Sequence, residues 1–589
     1  MTRLAVPAFA VLLEKPEKRA FALLALALCG ILATSGFQAL TGDEPRYFLY
    51  SYAFFANGSF EMSPSEWPAV YFRATGADGV AYPGVGATNH AIYIPVLLSP
   101  IAYVFSLAGL RTTSLLVGLA GLWCLLQVCL QATGKAVWPA MAAIALATLS
   151  LPLLPYLHLF YMEAFLFAAF SAGWYRVHAA PASRGNDLVT GALILSLPFI
   201  HLRGSVVGAV LFVIFLWQVY RHRARTDALP RIALLAGVAA AALLVLVGCN
   251  VLVYGSVLGS VSTARPPEMS FLFSMVALQW FNIHHGLMAY APVWLLGYAG
   301  LVAGALAGAP LPREGLVLAA VVILTSIGIN PGECWPARFW VLSIPMLAVG
   351  LAWWLHVARS PLLRAVTLGL IILTLTNSLI FIGEPNLFLE NRQTPVTYQR
   401  LFDYLPLLHF GLVLPHEIEV EPHLGWARFL LLTAVVFMAA LVASQFRPVM
   451  GWVALAILLI AVDSARVRVI PSSGYQISST ADGLRVDMLR ALGPVAYVQY
   501  GHKYQSWFDG ATLTPVSIAV TGRNGGSDRW QAPAYQIISA RCRGGVVAIE
   551  FRGPPELDVK AKVAAGVRVY QSRSFIHGLV SRFRSRCSW

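Results

Sequence analysis

Thr41-Gly42-Asp43-Glu44-Pro45-Arg46-Tyr47 is the stretch on which the reading of this chain turns. It follows an apolar run from about residue 20 to 40, and about 20 such residues suffice to span a bilayer. Two adjacent carboxylates therefore stand where a first helix leaves the membrane. Residues 47–56 then carry aromatic and apolar side chains at helical spacing, the pattern of a helix lying in the interface. One reading of Asp43 is a helix cap, with Pro45 early in the helix and acid near the positive end of the dipole. The other is chemical: a carboxylate held rigidly at the membrane surface. A capped interfacial helix serves both.

Working outward, the composition excludes a soluble enzyme and a disordered scaffold. The 589 residues are 58% hydrophobic and only 12% charged, with a mean hydropathy of +0.69, against about 45–50% apolar and about 25% charged for ordinary globular chains. Fourteen apolar runs are candidate spans: 20–40, 90–110, 112–132, 136–154, 159–178, 187–202, 204–220, 231–253, 287–308, 314–330, 338–357, 363–382, 426–446 and 449–464. Short cytoplasmic loops collect Lys and Arg. Arg176/Arg184, Arg221/Arg223/Arg225/Arg231, Arg313, Arg359/Arg364 and Arg447 recur at every second loop from 178 onward. Those loops are read as inside, and 254–286, 331–337 and 383–425 as outside. The basic start (Arg3, Lys15, Lys18, Arg19) with no small-residue cleavage site reads as a retained signal anchor, N-terminus inside. Parity then requires that one candidate between 90 and 178 does not cross. The expected fold is a polytopic α-helical membrane protein of about thirteen transmembrane helices, with a bent or re-entrant segment among the first few near Pro95, Pro100, Pro152 or Pro155.

Past 465 the composition changes. Short alternating runs (Val516–Val520, Tyr535–Ala540, Val546–Phe551, Val567–Tyr570) are separated by Gly, Pro, Asn and Asp, the signature of a β-rich module. The expected organisation is a membrane domain over 1–465, with a first external loop at 41–89 and another at 383–425, and an external β-rich domain over 466–589. Cys29, Cys124, Cys129 and Cys249 lie in apolar runs as small buried hydrophobes. Cys542 and Cys587 are a candidate pair if the tail meets an oxidising compartment.

Four further places draw attention. Glu163 lies near one end of an apolar run, as an interfacial acid or a functional group, since an ionisable side chain at the bilayer costs a few kcal/mol. His201-Leu202-Arg203 interrupts the apolar stretch 187–220 on the outer side, where basic residues are not expected. An arginine there suits a phosphate, which its planar fork binds bidentately. Arg338, after Glu333-Cys334-Trp335-Pro336, is a second external base. His90 follows the Gly-rich approach Tyr82-Pro83-Gly84 to Gly86 and opens the second run. All fall on one face of the membrane.

In these residues the chain resembles the GT-C superfamily of integral-membrane glycosyltransferases, which includes protein O-mannosyltransferases and lipid A aminoarabinose transferases. Gly42-Asp43-Glu44-Pro45-Arg46-Tyr47 is similar to the family's acidic motif. Tyr82 to Pro100, Tyr161 to Glu163, His201 to Arg203, Gly286 to Pro292 and Arg338 to Pro345 fall in matching order, covering roughly 20 to 360. The resemblance implies an inverting transfer of a sugar from a polyprenyl-phosphate donor to a cell-envelope acceptor, a glycan, glycolipid or protein, at the outer face of a bacterial cytoplasmic membrane. Asp43 would be the general base. Glu44 would orient the acceptor or help hold a divalent cation, for which Asp43 and Glu163 are the candidate ligands. Arg203, His201 and Arg338 would bind the donor phosphate, with Glu163, His90 and Tyr82 toward the acceptor or behind the site. No organic cofactor is implied.

Two other readings stay open: a transporter or flippase of a lipid-linked saccharide, and a ligase or polymerase moving a whole glycan. In the tail, Tyr497, Tyr500, Tyr504, Trp507 and Trp530 suit either sugar stacking or a small core. From Arg466 onward there are 17 Lys or Arg against 7 Asp or Glu, so +10 of the chain's +14 belongs to the tail. That distribution argues against nucleic acid and for anionic lipids or an anionic acceptor as the partner.

Overall fold

The structure is a computed structural model. It describes residues 15–34, 43–60, 66, 68–70, 72, 91–181, 183–222, 225–257, 272–281, 286–326, 337–383, 411–412, 421–447, 449–470 and the strands beyond. In chain order the helices are α1 (Pro16–Thr34), α2 (Glu44–Asn57), α3 (Tyr93–Leu97), α4 (Ser99–Ala132), α5 (Val137–Leu149), α6 (Leu153–Tyr156), α7 (Met162–Ala179), α8 (Arg184–Leu195), α9 (Leu197–Ile200), α10 (Gly204–Arg221) and α11 (Arg225–Tyr254). They continue with α12 (Leu272–Phe281), α13 (Leu287–Tyr290), α14 (Trp294–Leu306), α15 (Pro310–Ser326), a 3-10 helix (Arg338–Ser343), α16 (Ile344–Val357), α17 (Pro361–Gly383), α18 (Glu421–Ala443) and α19 (Val449–Ala465).

Among the described residues, five helices are long and apolar enough to cross a membrane: Ser99–Ala132, Gly204–Arg221, Thr226–Tyr254, Arg338–Val357 and Pro361–Gly383. Shorter apolar helices accompany them. The protein is a mainly helical, multi-pass membrane protein. Its helices differ sharply in enclosure. Of the most apolar stretch of Arg338–Val357, 78% is buried, against 6% for Thr226–Tyr254. The first is a central strut and the second faces its surroundings along most of its length.

The chain divides into two compact units, Met1–Met269 with Tyr290–Leu389, and Ser270–Ala289 with Glu390–Trp589. In the first unit, α14 and α16 cross with almost no separation. A Cβ added at Gly300 would lie 1.8 Å from the Gly350 carbonyl oxygen, and one at Gly350 would lie 2.0 Å from that of Gly297. Trp174, Trp294 and Trp354 fill the interior around this crossing. The Trp294 indole donates to the Leu151 carbonyl (3.3 Å) and that of Trp354 to Thr367 Oγ1 (2.9 Å).

The apolar runs 90–110 and 112–132 differ from their reading as two spans. Residues 99–132 run as α4, two helical stretches joined across a kink at Ser106 (φ 57, ψ −157). The stretch beyond the kink, 107–132, is about 39 Å long, more than a hydrocarbon core of about 30 Å requires. Arg111, a little past the break, is buried.

In the second unit, α18 and α19 stand in the chain between the first strand and the others. β1 (Gly411–Leu412), β2 (Arg466–Ile470), β10 (Arg568–Ser572), β5 (Val495–Tyr500), β6 (Tyr504–Asp509) and β7 (Pro515–Val520) lie side by side in that order in one sheet. β3 (Tyr475–Thr480), β4 (Gly483–Met488), β9 (Val546–Arg552) and β8 (Gln536–Arg543) form the other. Neighbours pair antiparallel, with Tyr497 opposite Trp507 and Tyr570. The side chains of the tail, including Cys542, Cys587 and its aromatic residues, lie outside the described residues.

Candidate active site

The local structure of the acidic motif separates its two readings. Asp43 stands at the N-cap of α2, and Pro45 occupies the first turn, but the Asp43 side chain makes no capping hydrogen bond. Its Oδ2 instead accepts from Arg338 Nη1 at 2.5 Å. The helix is closed at its other end by Gly58 in the left-handed conformation (φ 66), whose N–H donates to the Phe54 carbonyl. A favoured capping residue has thus been given to a partner 295 positions away.

Glu44, one residue on, goes elsewhere. It is fully buried and grips Arg111 bidentately, with Nε on Oε1 at 2.8 Å and Nη2 on Oε2 at 2.6 Å. Oε1 also accepts from the Phe160 backbone N–H at 2.8 Å. The carboxylate expected to orient an acceptor or a cation is therefore committed to fastening α2 against α4 and the turn before α7.

The remaining charges converge. Tyr161 is extended (φ −125, ψ 152) and starts α7, whose first turn carries Glu163. Arg203 sits at the N-cap of α10. Arg338 opens the 3-10 helix after Ala337, which takes the left-handed conformation (φ 58). Glu163 Oε1 accepts from both guanidinia, from Arg338 Nε at 2.6 Å and from Arg203 Nη2 at 2.7 Å. Aromatic rings back the two cations: Arg203 lies 4.2 Å above Phe339 and Arg338 4.9 Å above Tyr161, which favours a guanidinium in place. Glu163 is 2% exposed, while the Asp43 side chain keeps 24% of its surface open. Two buried polar atoms, Glu163 Oε2 and Arg203 Nε, have no hydrogen-bond partner among the described residues. A buried polar atom without a partner is costly, and here two lie in one site.

His201 lies beyond the last turn of α9, outside the helices. Its Nδ1 accepts from the Arg203 backbone N–H at 3.2 Å. The permanent cations of the expected phosphate site are Arg203 and Arg338. Tyr82 and His90 lie outside the described residues.

The arrangement is one end of a helix bundle. The start of α2, the starts of α7 and α10, and the 3-10 helix before α16 all bring their charged residues there. The chain is similar to ArnT from Cupriavidus metallidurans. The likeness to the crystal structure of ArnT in the apo state covers 78% of this chain and 77% of that one, at 14% identity and a TM-score of 0.39. For ArnT bound to undecaprenyl phosphate the values are 75% and 76%, 16% and 0.35. No family model matches the chain and no curated protein does. So loose a likeness to ArnT leaves the chemistry to be read from the side chains.

Asp43 and Glu163, the candidate metal ligands, each give one oxygen to Arg338. Among the described residues, no group of three or more His, Cys, Asp or Glu gathers closely enough to hold an ion. What the site can do is hold a tetrahedral anion on two arginines and present a carboxylate beside it.

Proposed function

We propose that the protein is a membrane glycosyltransferase that takes a sugar from a polyprenyl-phosphate donor and passes it to a cell-envelope acceptor hydroxyl. The observation that carries this reading is the convergence of Arg203 and Arg338 on Glu163 and Asp43 at one end of the bundle. A paired guanidinium site suits a phosphate, and a lipid-borne phosphate reaches such a site from the bilayer.

In the transfer, the acceptor hydroxyl attacks the anomeric carbon from the side opposite the phosphate, and the product is inverted. Asp43, the more open of the two carboxylates, takes the hydroxyl proton as general base. The bond from the anomeric carbon to the phosphate oxygen breaks with its electron pair on the oxygen. A phosphodiester with one negative charge becomes a monoester with nearly two, so Arg203 and Arg338 bind the leaving group more tightly as it forms, which is what lowers the barrier.

Thirteen crossings follow if α2, α3 and the first part of α4 lie in the outer interface and α4 crosses once. The N-terminus is then cytoplasmic and residues 466–589 form an external β-rich domain with a net charge of +10. Clustering of the charged groups at one end favours transfer over a flippase, whose polar groups gather near the midplane.

The test uses the full-length protein in lipid nanodiscs with polyprenyl-phosphate sugars, undecaprenyl carriers first. Asp43→Asn keeps the shape and removes the base, and sugar transfer is expected to fall about 10²–10⁴-fold. Transfer at the wild-type rate by this variant, or movement of intact lipid-linked sugar across the bilayer without bond cleavage, would overturn the reading.

A further inference from the structure

Arg338 has more claimants than edges. A guanidinium grips a phosphate with two parallel N–H groups from one of its edges. In this structure Nε is given to Glu163 Oε1 and Nη1 to Asp43 Oδ2, so one carboxylate stands on each edge. A phosphate can be held bidentately by Arg338 only if one of them leaves. The two are unequal. Glu163 is enclosed in α7 and is also held by Arg203, whereas Asp43 stands at the mouth of the site with a quarter of its side chain open to solvent. Water can take over from Arg338 at Asp43 and cannot at Glu163.

The charges point the same way. Among the described residues, two arginines stand against two carboxylates, and an entering phosphodiester adds a negative charge. Moving Asp43 off Arg338 relieves the crowding of anions around that cation. It also removes an obstacle, because an oxygen accepting from a guanidinium keeps its lone pair turned away from an arriving hydroxyl.

We propose that the Asp43–Arg338 ion pair is a latch opened by the donor: the lipid phosphate takes Arg338 and thereby releases the Asp43 carboxylate, so the base becomes available only when a phosphate is bound. Glu163 does not leave. It keeps Arg203 and Arg338 convergent in the resting protein and is the positioning residue of the phosphate site. No covalent bond changes in the exchange. The proton enters later, from the acceptor hydroxyl to Asp43, as the phosphate departs with its electron pair. This inference rests on the glycosyltransferase reading and adds a regulation to it.

Binding alone tests the latch. A latch closed about nine-tenths of the time lowers the apparent affinity of its opener about tenfold. Polyprenyl phosphate binding to the full-length protein in nanodiscs is measured for the wild type, Asp43→Asn, Arg338→Gln and the double variant, with the neutral polyprenol as control. Thermal unfolding and monodisperse elution establish that each variant is folded. Asp43→Asn is expected to tighten polyprenyl phosphate binding about tenfold and to leave polyprenol unchanged. In the Arg338→Gln background the same change is expected to do nothing, because the latch is already gone.

Unchanged or weaker binding by Asp43→Asn overturns the latch. So does equal tightening in both backgrounds, which would mean that Asp43 repels the anion without holding Arg338. In both cases weak binding by Arg338→Gln would leave the phosphate site standing. If polyprenyl phosphate binds no better than polyprenol to any of the four proteins, the donor reading itself fails.

Discussion

Asp43 and Glu44 are neighbours in the chain and strangers in the fold. Successive residues at a helix start point about 100° apart, so the first reaches Arg338 and the second is buried on Arg111. Glu44 was legible as a charge but not as a structural one, because sequence shows adjacency and not direction. Arg111 carried a signal of its own: an arginine in the gap between two apolar runs demands a partner, as any ionisable group at membrane depth does. What the sequence withheld was which carboxylate it would find. Asp43, Glu163, Arg203 and Arg338 were easier to single out, since each interrupts apolar surroundings on the same side. The pair makes a prediction. Arg111→Ala leaves a fully buried carboxylate unpaired, a loss of about 3–5 kcal/mol. Replacing both, as Glu44→Gln with Arg111→Gln, is expected to recover part of it. Unfolding temperatures of the three purified proteins in one detergent are the check, and a double variant no more stable than Arg111→Ala would argue against a pairwise clamp.

Among the elements, α4 shows what hydropathy can and cannot see. A window counts apolar residues whether they face lipid, an interface or other helices, so it divides α4 at Arg111. The structure puts its break at Ser106, where no proline announces it. Other elements are specified by what they lack. The α14–α16 crossing depends on Gly300 and Gly350, whose missing side chains let one backbone lie on the other. Overpacking a core costs about 1–3 kcal/mol where side chains can shift. Here the clash is with a carbonyl, so Gly350→Ala is expected to cost at least that much. Gly308, a left-handed residue with open space around it, provides the contrast: Gly308→Asn is expected to be tolerated. Both are read as melting temperatures, and equal losses would mean that the close crossing is not what makes Gly350 necessary.

For the whole molecule, the test is sidedness. The proposed thirteen crossings put the turn at Gly134 inside and the turn at Leu202 outside. With the native cysteines replaced, a single cysteine at 202 is expected to react with a membrane-impermeant maleimide on intact cells. One at 134 should react only after the membrane is opened. The reverse pattern would invert the site, and labelling of both from outside would break the parity on which thirteen rests. Parity was the part of the architecture most open to reading from sequence, since it needs only basic residues and a count. The meeting of charged groups from separate helices was not, because hydropathy carries no information about which ends touch.

The Arg111 clamp also means that the order of two letters matters. Exchanging the acids, so that Glu stands at 43 and Asp at 44, preserves length, charge, hydropathy and composition. Yet the shorter acid would fall a methylene short of both Arg111 and the Phe160 N–H, while the longer one would overreach Arg338. A comparison that scores the two acids as equivalents would accept a chain in which neither ion pair keeps its fit.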